Sequence, residues 1–128
     1  MNYLLDTHAF LWFISADPSL SPAAQAAIES EENRIFLSTA SLWEMAIKVS
    51  LGKLEVPSPF GQFMYEQMRE NDVTLHGIQL AHIDKVVTLP FHHRDPFDRL
   101  IVAQSLTDQL PVIGKDPVFD AYGIQRVW

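Results

Sequence analysis

Four acidic residues stand where a run of apolar residues ends or where a helix is predicted to begin. Asp6 ends the first apolar run, and Asp116 follows a later one. Glu44 and Asp98 lie in the first turns of two predicted helices. Carboxylates that share a small volume repel one another, so a cation is needed to hold them together in their ionised form. The pattern therefore predicts a metal centre built from these four acids.

The chemistry of this predicted centre is limited by what the chain lacks. The sequence contains no cysteine, which excludes thiolate zinc sites, cysteine nucleophiles and disulfides. Sites made only of oxygen ligands suit Mg²⁺ or Mn²⁺, and such ions hold phosphate groups and activate water for in-line attack. Hydrolysis of a phosphodiester is the reaction that this donor set favours.

Each acid also has a structural interpretation as a helix cap. Glu44 completes a capping-box pattern with Ser41 and can pair with Lys48 one turn later. Asp95 before Pro96 is a typical N-cap, and we assign it to capping, with a supporting role beside the metal as the alternative. Taken singly, capping is the more common explanation, and only the joint placement of the acids favours a site.

The predicted elements alternate along the chain. Strands are predicted over 2–6, 34–38, 73–78, 110–113 and 123–127, and helices over 7–15, 22–31, 39–50, 59–71, 80–88 and 95–108. Short strands that are apolar on both faces and alternate with helices indicate a parallel sheet covered on both sides. Ligands of such sheets bind outside the carboxyl ends of the strands, which is where the acids are expected. Residues 1–128 are predicted to form a single domain.

Composition gives one argument against a nuclease. The net charge is −7, whereas most proteins that bind nucleic acid are basic. The objection weakens if several acids hold cations, because the bound ions reverse the local field. The apolar run at residues 3–14 contains acid and histidine and has no basic start, so we expect neither a signal peptide nor a membrane span. The protein is expected to be soluble and cytoplasmic.

Three runs resemble a known family: Leu4-Leu-Asp-Thr-His8, Ser38 to Lys48 and His93 to Gln104. In this order they resemble PIN-domain proteins, and more narrowly the VapC-type toxins of toxin–antitoxin pairs. The resemblance implies a three-layer α/β/α sandwich with a central, mainly parallel sheet of about five strands. It also implies an endoribonuclease dependent on Mg²⁺ or Mn²⁺, acting on transfer or ribosomal RNA. Homodimers and a cognate antitoxin are usual in the family.

The resemblance also assigns roles to individual residues. Asp6 and Glu44 match the first two acids of the family motif. Asp98 matches the third, because it stands directly before Arg-Leu-Ile-Val-Ala, and Asp116 matches the fourth. The family often has serine or threonine two residues before the fourth acid, where this chain has Gly114.

Several neighbours of the acids are weighed as supporting residues. Thr7 is a candidate hydroxyl beside the site, and Arg99 either contacts a phosphate or balances Asp98. Lys48 is interpreted as structural, and His8 is expected to point away from the site.

Other residues whose side chains could take part in binding or catalysis are assigned structural roles. His92 and His93 are expected in a solvated loop, with substrate contact as the alternative. Trp12 and Trp43 are predicted to lie in the core. The apolar residues of the helix over 59–71 are also assigned to the core, with a groove for a partner segment as the alternative.

Two other functional classes remain open from the residues alone. One is a non-catalytic protein- or RNA-binding module whose acids are only caps. The other is an aspartyl phosphatase, which is disfavoured because His8 stands where that chemistry needs a second aspartate two residues after Asp6.

Overall fold

Five short strands form the centre of the structure, a computed structural model that describes all of residues 1–128. The strands are β1 Asn2–Leu5, β2 Arg34–Ser38, β3 Val73–His76, β4 Val112–Ile113 and β5 Arg126–Val127. Their order across the sheet is β3-β2-β1-β4-β5, and every neighbouring pair is parallel. The predicted strands are confirmed, although β1, β3, β4 and β5 are shorter than predicted.

Helices connect the strands. They are α1 Thr7–Ile14, α2 Pro22–Glu29, α3 Thr39–Ser50, α4 Phe60–Glu70, α5 Leu80–Thr88, α6 Pro96–Asp108 and a 3₁₀ helix, Pro117–Tyr122. The 3₁₀ helix was not predicted from the sequence. Ser21 caps α2 through its hydroxyl, which accepts from the Ala24 amide at 3.0 Å, as the Ser-Pro pair indicates. None of these helices has the length and apolar character to cross a membrane.

Two apolar cores lie on opposite faces of the sheet. Because successive side chains of a strand point to opposite faces, Leu5 enters one core and Leu4 the other. The first core is closed by α1, α2, α3 and α4, and the second is closed mainly by α6 and the 3₁₀ helix. The structure therefore has three layers, helix, sheet and helix, as the fold class predicted.

The strand order determines where a ligand can bind. From β1 the chain moves to one side to form β2 and β3, and it returns to the other side of β1 to form β4. The order therefore reverses between β1 and β4, and a crevice forms outside their carboxyl ends. Asp6 directly follows β1, and Asp116 follows β4 by three residues.

Candidate metal centre

Asp6 lies at the base of this crevice with only 7% of its surface exposed. Its amide donates to the Ile113 carbonyl at 2.9 Å, which fixes the residue between β1 and β4. Although Asp6 stands at the N-cap position of α1, its side chain makes no capping hydrogen bond, so the capping interpretation is wrong for this residue. A Cβ on Gly114 would lie 3.0 Å from the Asp6 Cβ, and the glycine therefore leaves room for this side chain.

Glu44 reaches the crevice from α3 and is buried. The helix is capped by Ser38, so the predicted capping box with Ser41 is wrong, and Glu44 lies further along the helix. Its Oε2 accepts from Lys48 Nζ at 3.0 Å, and its Oε1 lies 2.9 Å from the Thr7 hydroxyl. Thr7 Oγ1 is also 2.8 Å from Ser41 Oγ. Since the carboxylate can only accept, the Thr7 hydroxyl donates to Glu44 and accepts a hydrogen bond from the Ser41 hydroxyl.

Two aspartates at the start of α6 have different roles. Asp95 Oδ1 accepts from the amides of Phe97 at 2.8 Å and Asp98 at 3.0 Å, so it caps the helix as predicted. The Asp98 carboxylate makes no capping contact and lies half-buried in the first turn. The structure thus leaves Asp98, and not Asp95, free to act in the crevice.

Asp116 combines a cap with a place in the site. Its Oδ1 accepts from the Val118 amide at 2.9 Å and caps the 3₁₀ helix. Its Oδ2 lies 3.3 Å from His93 Nε2. His93 is only 7% exposed, so the prediction of a solvated loop is wrong for His93, although His92 is exposed as predicted. No local sequence pattern predicts this contact, because the two residues are 23 positions apart.

The four acids act on one another electrostatically. Burial, followed by the charges of Asp98, Glu44 and Asp116, raises the pKa of Asp6 to about 7. Burial and the neighbouring Asp95 raise the pKa of Asp98 to about 6, with further contributions from Glu44 and Asp116 and an opposing one from His93. The structure therefore brings the four predicted acids close together, and the ionised forms of Asp6 and Asp98 are disfavoured there unless a positive charge is supplied.

The donor set fits a hard divalent cation. Every ligand atom that these acids offer is a carboxylate oxygen, which is the chemistry that Mg²⁺ and Mn²⁺ prefer. No three of the carboxylates bring oxygens within 4.8 Å of one another. That open spacing suits an ion that keeps several of its own waters and binds directly to one or two carboxylates.

Arg99 does not face the crevice, and the prediction that it contacts a phosphate or balances Asp98 is wrong. Its guanidinium is buried and lies 4.0 Å from the centre of the Phe91 ring. It donates to four backbone carbonyls, those of Val86, Leu89, Pro90 and His93, at 3.0–3.4 Å. Arg99 therefore anchors the loop between α5 and α6.

A second cluster, which sequence reasoning missed, joins β3, α5 and α6. His76 Nε2 and His82 Nε2 lie 2.7 and 2.6 Å from Asp108 Oδ2. Burial would raise the pKa of Asp108, but the two hydrogen bonds outweigh it and lower the pKa. His82 Nδ1 accepts from the Gln79 amide at 2.9 Å, so its proton lies on Nε2 and donates to Asp108. A metal-bound Nε2 could carry no proton, so this contact favours a structural hydrogen-bond network over a metal site.

The exposure of the remaining aromatic and apolar residues tests their predicted places in the core. Trp43 is 61% exposed and packs edge-on against Phe97, so its assignment to the core is wrong. Trp12 is half-buried and packs on the first core as predicted, and His8 is exposed beside it. The apolar residues of α4 contribute to the core, with Met64 buried, but they also line a surface cleft.

The chain is similar to known proteins in sequence. The family model described as PIN domain matches residues 3–125. Ribonuclease VapC16 of Mycobacterium tuberculosis is 36% identical over 58 residues, an alignment that covers 45% of this chain and 41% of that protein. The alignment thus spans less than half the length of this relative.

Solved structures share the fold. VapBC2 from Rickettsia felis, bound to a DNA fragment from its promoter, aligns with a TM-score of 0.71 at 14% identity and covers 98% of this chain and 97% of that one. FitAcB from Neisseria gonorrhoeae aligns with a TM-score of 0.59 at 15% identity, covering 98% and 96%. The family model spans nearly all of the sequence, and the chain belongs to the PIN domain family.

Proposed function

We propose that the chain is a metal-dependent endoribonuclease that hydrolyses RNA phosphodiester bonds, and that residues 1–128 form one nuclease domain. The observation that carries the proposal is the cluster of four carboxylates at the switch point of the sheet, where burial and then repulsion from the neighbouring acids raise the pKa of Asp6 to about 7. Membership of the PIN family and the name of the curated relative, a ribonuclease, support this reaction.

The proposed mechanism assigns a distinct task to each acid. Buried Asp6 and half-buried Asp98 provide the negative charge that binds the cation at the base of the crevice. Glu44, held by Thr7 and Lys48, and Asp116 provide charge from the sides. When bound, Mg²⁺ or Mn²⁺ supplies the positive charge that orients the phosphate and stabilises the charge developing during in-line attack. We also propose that exposed Lys115, which follows Gly114, contacts the RNA backbone.

Purified protein tests the reaction directly. We expect chelation with EDTA to abolish cleavage of a structured RNA and millimolar Mg²⁺ or Mn²⁺ to restore it. Asp6→Asn and Asp98→Asn should each remove cleavage. Asp84→Asn is the matched control, because it removes an exposed acid from α5 and should leave cleavage unchanged. Folded parent protein that neither cleaves RNA nor changes its melting temperature with Mn²⁺ would instead support the non-catalytic binding module.

The proposed substrates are transfer or ribosomal RNA, and we propose a cytoplasmic location because these RNAs occur there. The substrate can be identified by mapping the 5′ ends of RNA fragments after induced expression in cells. Parent protein should produce ends clustered at one or a few sites, and Asp6→Asn should produce none of them.

We also propose a cognate antitoxin as a protein partner, since the similar solved structures include toxin–antitoxin complexes. An apolar cleft of about 430 Å³ lies between α4 and the outer strand β3 and is lined by Leu42, Phe60, Met64, Tyr65 and Leu75. Such a cleft fits the apolar face of an antitoxin helix. An antitoxin encoded by a neighbouring small reading frame should form a stable complex with this chain and inhibit cleavage, and Tyr65→Lys should weaken the complex without reducing cleavage.

A homodimer is proposed through the exposed face of α5. Leu80, Ile83 and Val87 recur at helical spacing and are 75%, 51% and 80% exposed, and Phe91 beyond the helix is 79% exposed. An apolar stripe of this kind is typical of a protein interface. Val87→Lys should shift the mass in solution from dimer to monomer. Leu51→Lys, which alters an exposed leucine directly after α3, is the control and should remain dimeric.

A further inference from the structure

His93 lies beside the metal centre without belonging to the set of four acids. We propose that His93 is a positioning residue that orients the Asp116 carboxylate and thereby sets the affinity of the centre for its cation. The inference rests on the proposed function, because it needs the acids to bind a divalent ion. The observation behind it is a buried imidazole that meets a carboxylate whose side chain is 44% exposed.

The two carboxylate oxygens of Asp116 have different hydrogen-bond partners. The Val118 amide donates to Oδ1 at 2.9 Å, and His93 Nε2 lies 3.3 Å from Oδ2. An ionised carboxylate has no proton, so His93 must donate. The Asp116 side chain is 44% exposed, and without His93 a single hydrogen bond would remain to fix it. Orientation by His93 therefore matters more for Asp116 than it would for buried Asp6.

The imidazole itself is held firmly. Its ring lies parallel to the Tyr122 ring, at an interplanar angle of 6°, and packs against Phe119. The His93 amide donates to the Tyr122 hydroxyl at 2.9 Å, and that hydroxyl donates to the Pro90 carbonyl at 3.1 Å. Arg99 donates to the carbonyls of Pro90 and His93. The loop before α6 thus presents Nε2 to Asp116 in a fixed direction.

The second ring nitrogen of His93 makes no contact that would explain a histidine at this position. His93 Nδ1 is buried and has no hydrogen-bond partner. A phenylalanine ring would fill the same space between Phe119 and Tyr122 without burying an unpaired polar atom. The property that distinguishes the imidazole at this position is the Nε2 donor to Asp116. Removing the donor should therefore affect metal binding without loss of stability.

The variant His93→Phe tests the inference by Mn²⁺ binding, measured from the EPR signal of free Mn²⁺. Partners that orient metal ligands typically change affinity by about 10–100-fold, and we expect a loss in this range. The melting temperature in EDTA should be unchanged or higher. His92→Phe is the matched control, because its side chain is exposed and contacts no acid, and it should bind Mn²⁺ like the parent. His93→Gln, which keeps a donor, should lie between the parent and His93→Phe.

A double-mutant comparison separates positioning from a general structural effect. In the Asp116→Ala background, His93→Phe should cause no further loss of Mn²⁺ affinity, because the residue through which it acts is gone. Equal losses in both backgrounds, or a folded His93→Phe that binds Mn²⁺ within twofold of the parent, would overturn the inference. If His93→Phe does not fold, His93→Ala and His93→Gln provide the comparison, and equal affinities overturn it. If the parent protein binds no Mn²⁺, the proposed function is refuted as well. If the parent binds Mn²⁺ and the His93 variants bind it equally well, only the inference about His93 is refuted.

Discussion

The replacement Asp6→Asn is predicted to stabilise the metal-free protein while removing its activity. The pKa of Asp6 rises from 3.8 to about 7 because burial and three neighbouring acids disfavour its ionised form. A tenfold change in an equilibrium constant corresponds to ~1.4 kcal/mol, so ionised Asp6 destabilises the folded protein by on the order of 4 kcal/mol at pH 8. Asparagine keeps the size of the side chain and removes its charge.

The sign and pH window of this effect follow from the raised pKa. Below pH 3.8 the carboxyl is protonated in both the folded and unfolded chain, and it makes no difference to stability. The destabilisation grows as pH rises from about 4 and is complete above about 7. Because the amide does not reproduce all contacts of the protonated acid, we expect Asp6→Asn to gain about 2–4 kcal/mol at pH 8, or roughly 10 °C in melting temperature. At pH 5 the gain should be about half of this or less.

Urea denaturation in EDTA at pH 8 and pH 5 measures this difference, and a second series with saturating Mn²⁺ provides the control. The cation should stabilise the parent by mass action and should stabilise Asp6→Asn much less. The difference in free energy of unfolding between the parent and Asp6→Asn should therefore become smaller or change sign when Mn²⁺ is added. Equal stability of the two proteins in EDTA at pH 8, or an equal response to Mn²⁺, would refute the electrostatic reasoning.

Three further predictions concern the same site. Because protons compete with the cation for Asp6 and Asp98, whose pKa values are raised to about 7 and about 6, Mn²⁺ affinity measured by calorimetry should rise at least tenfold between pH 5.5 and pH 8. Thr7→Val should lower cleavage about tenfold by releasing Glu44, whereas Thr7→Ser, which keeps the hydroxyl, should cleave within about threefold of the parent. Gly114→Ala should displace Asp6, since the new Cβ would lie 3.0 Å from the Asp6 Cβ. We expect it to lower Mn²⁺ affinity and cleavage and to reduce the free energy of unfolding by about 1 kcal/mol. Stability and cleavage equal to those of the parent would show that the backbone moves to accommodate the new methyl group.

The fold was largely predictable because local signals and the overall architecture agree. The Ser21 cap marks the start of α2, and the bounds of α3 and α5 match their predicted ranges. The last two strands were predicted too long because only two residues of each pair with a neighbouring strand. Apolar residues outside that short pairing, such as Leu110, are buried by packing in the second core and not by sheet formation.

The acids, the Glu44–Lys48 pair and the hydroxyl of Thr7 beside the site could be predicted, but the contacts of His93 and Arg99 could not. Asp6 and Asp98 follow from strand exits and helix starts, which are properties of neighbouring residues. The contact of His93 with Asp116 joins two loops, and the anchoring of Arg99 depends on carbonyls whose direction only the folded backbone determines. Trp43 had an apolar helical context but lies on the outer side of α3, because helical spacing alone does not say how wide the buried face is.

Cleavage of a defined RNA by purified protein, with and without Mn²⁺, tests the central claim most directly when the parent is compared with Asp98→Asn. Asp98 contributes to the crevice from α6 and makes no capping contact, so its replacement leaves the helix cap at Asp95 intact. The account predicts Mn²⁺-dependent internal cleavage by the parent and at least a hundredfold slower cleavage by Asp98→Asn with an unchanged fold. Cleavage by folded Asp98→Asn at the rate of the parent, or equal cleavage in EDTA, would contradict it.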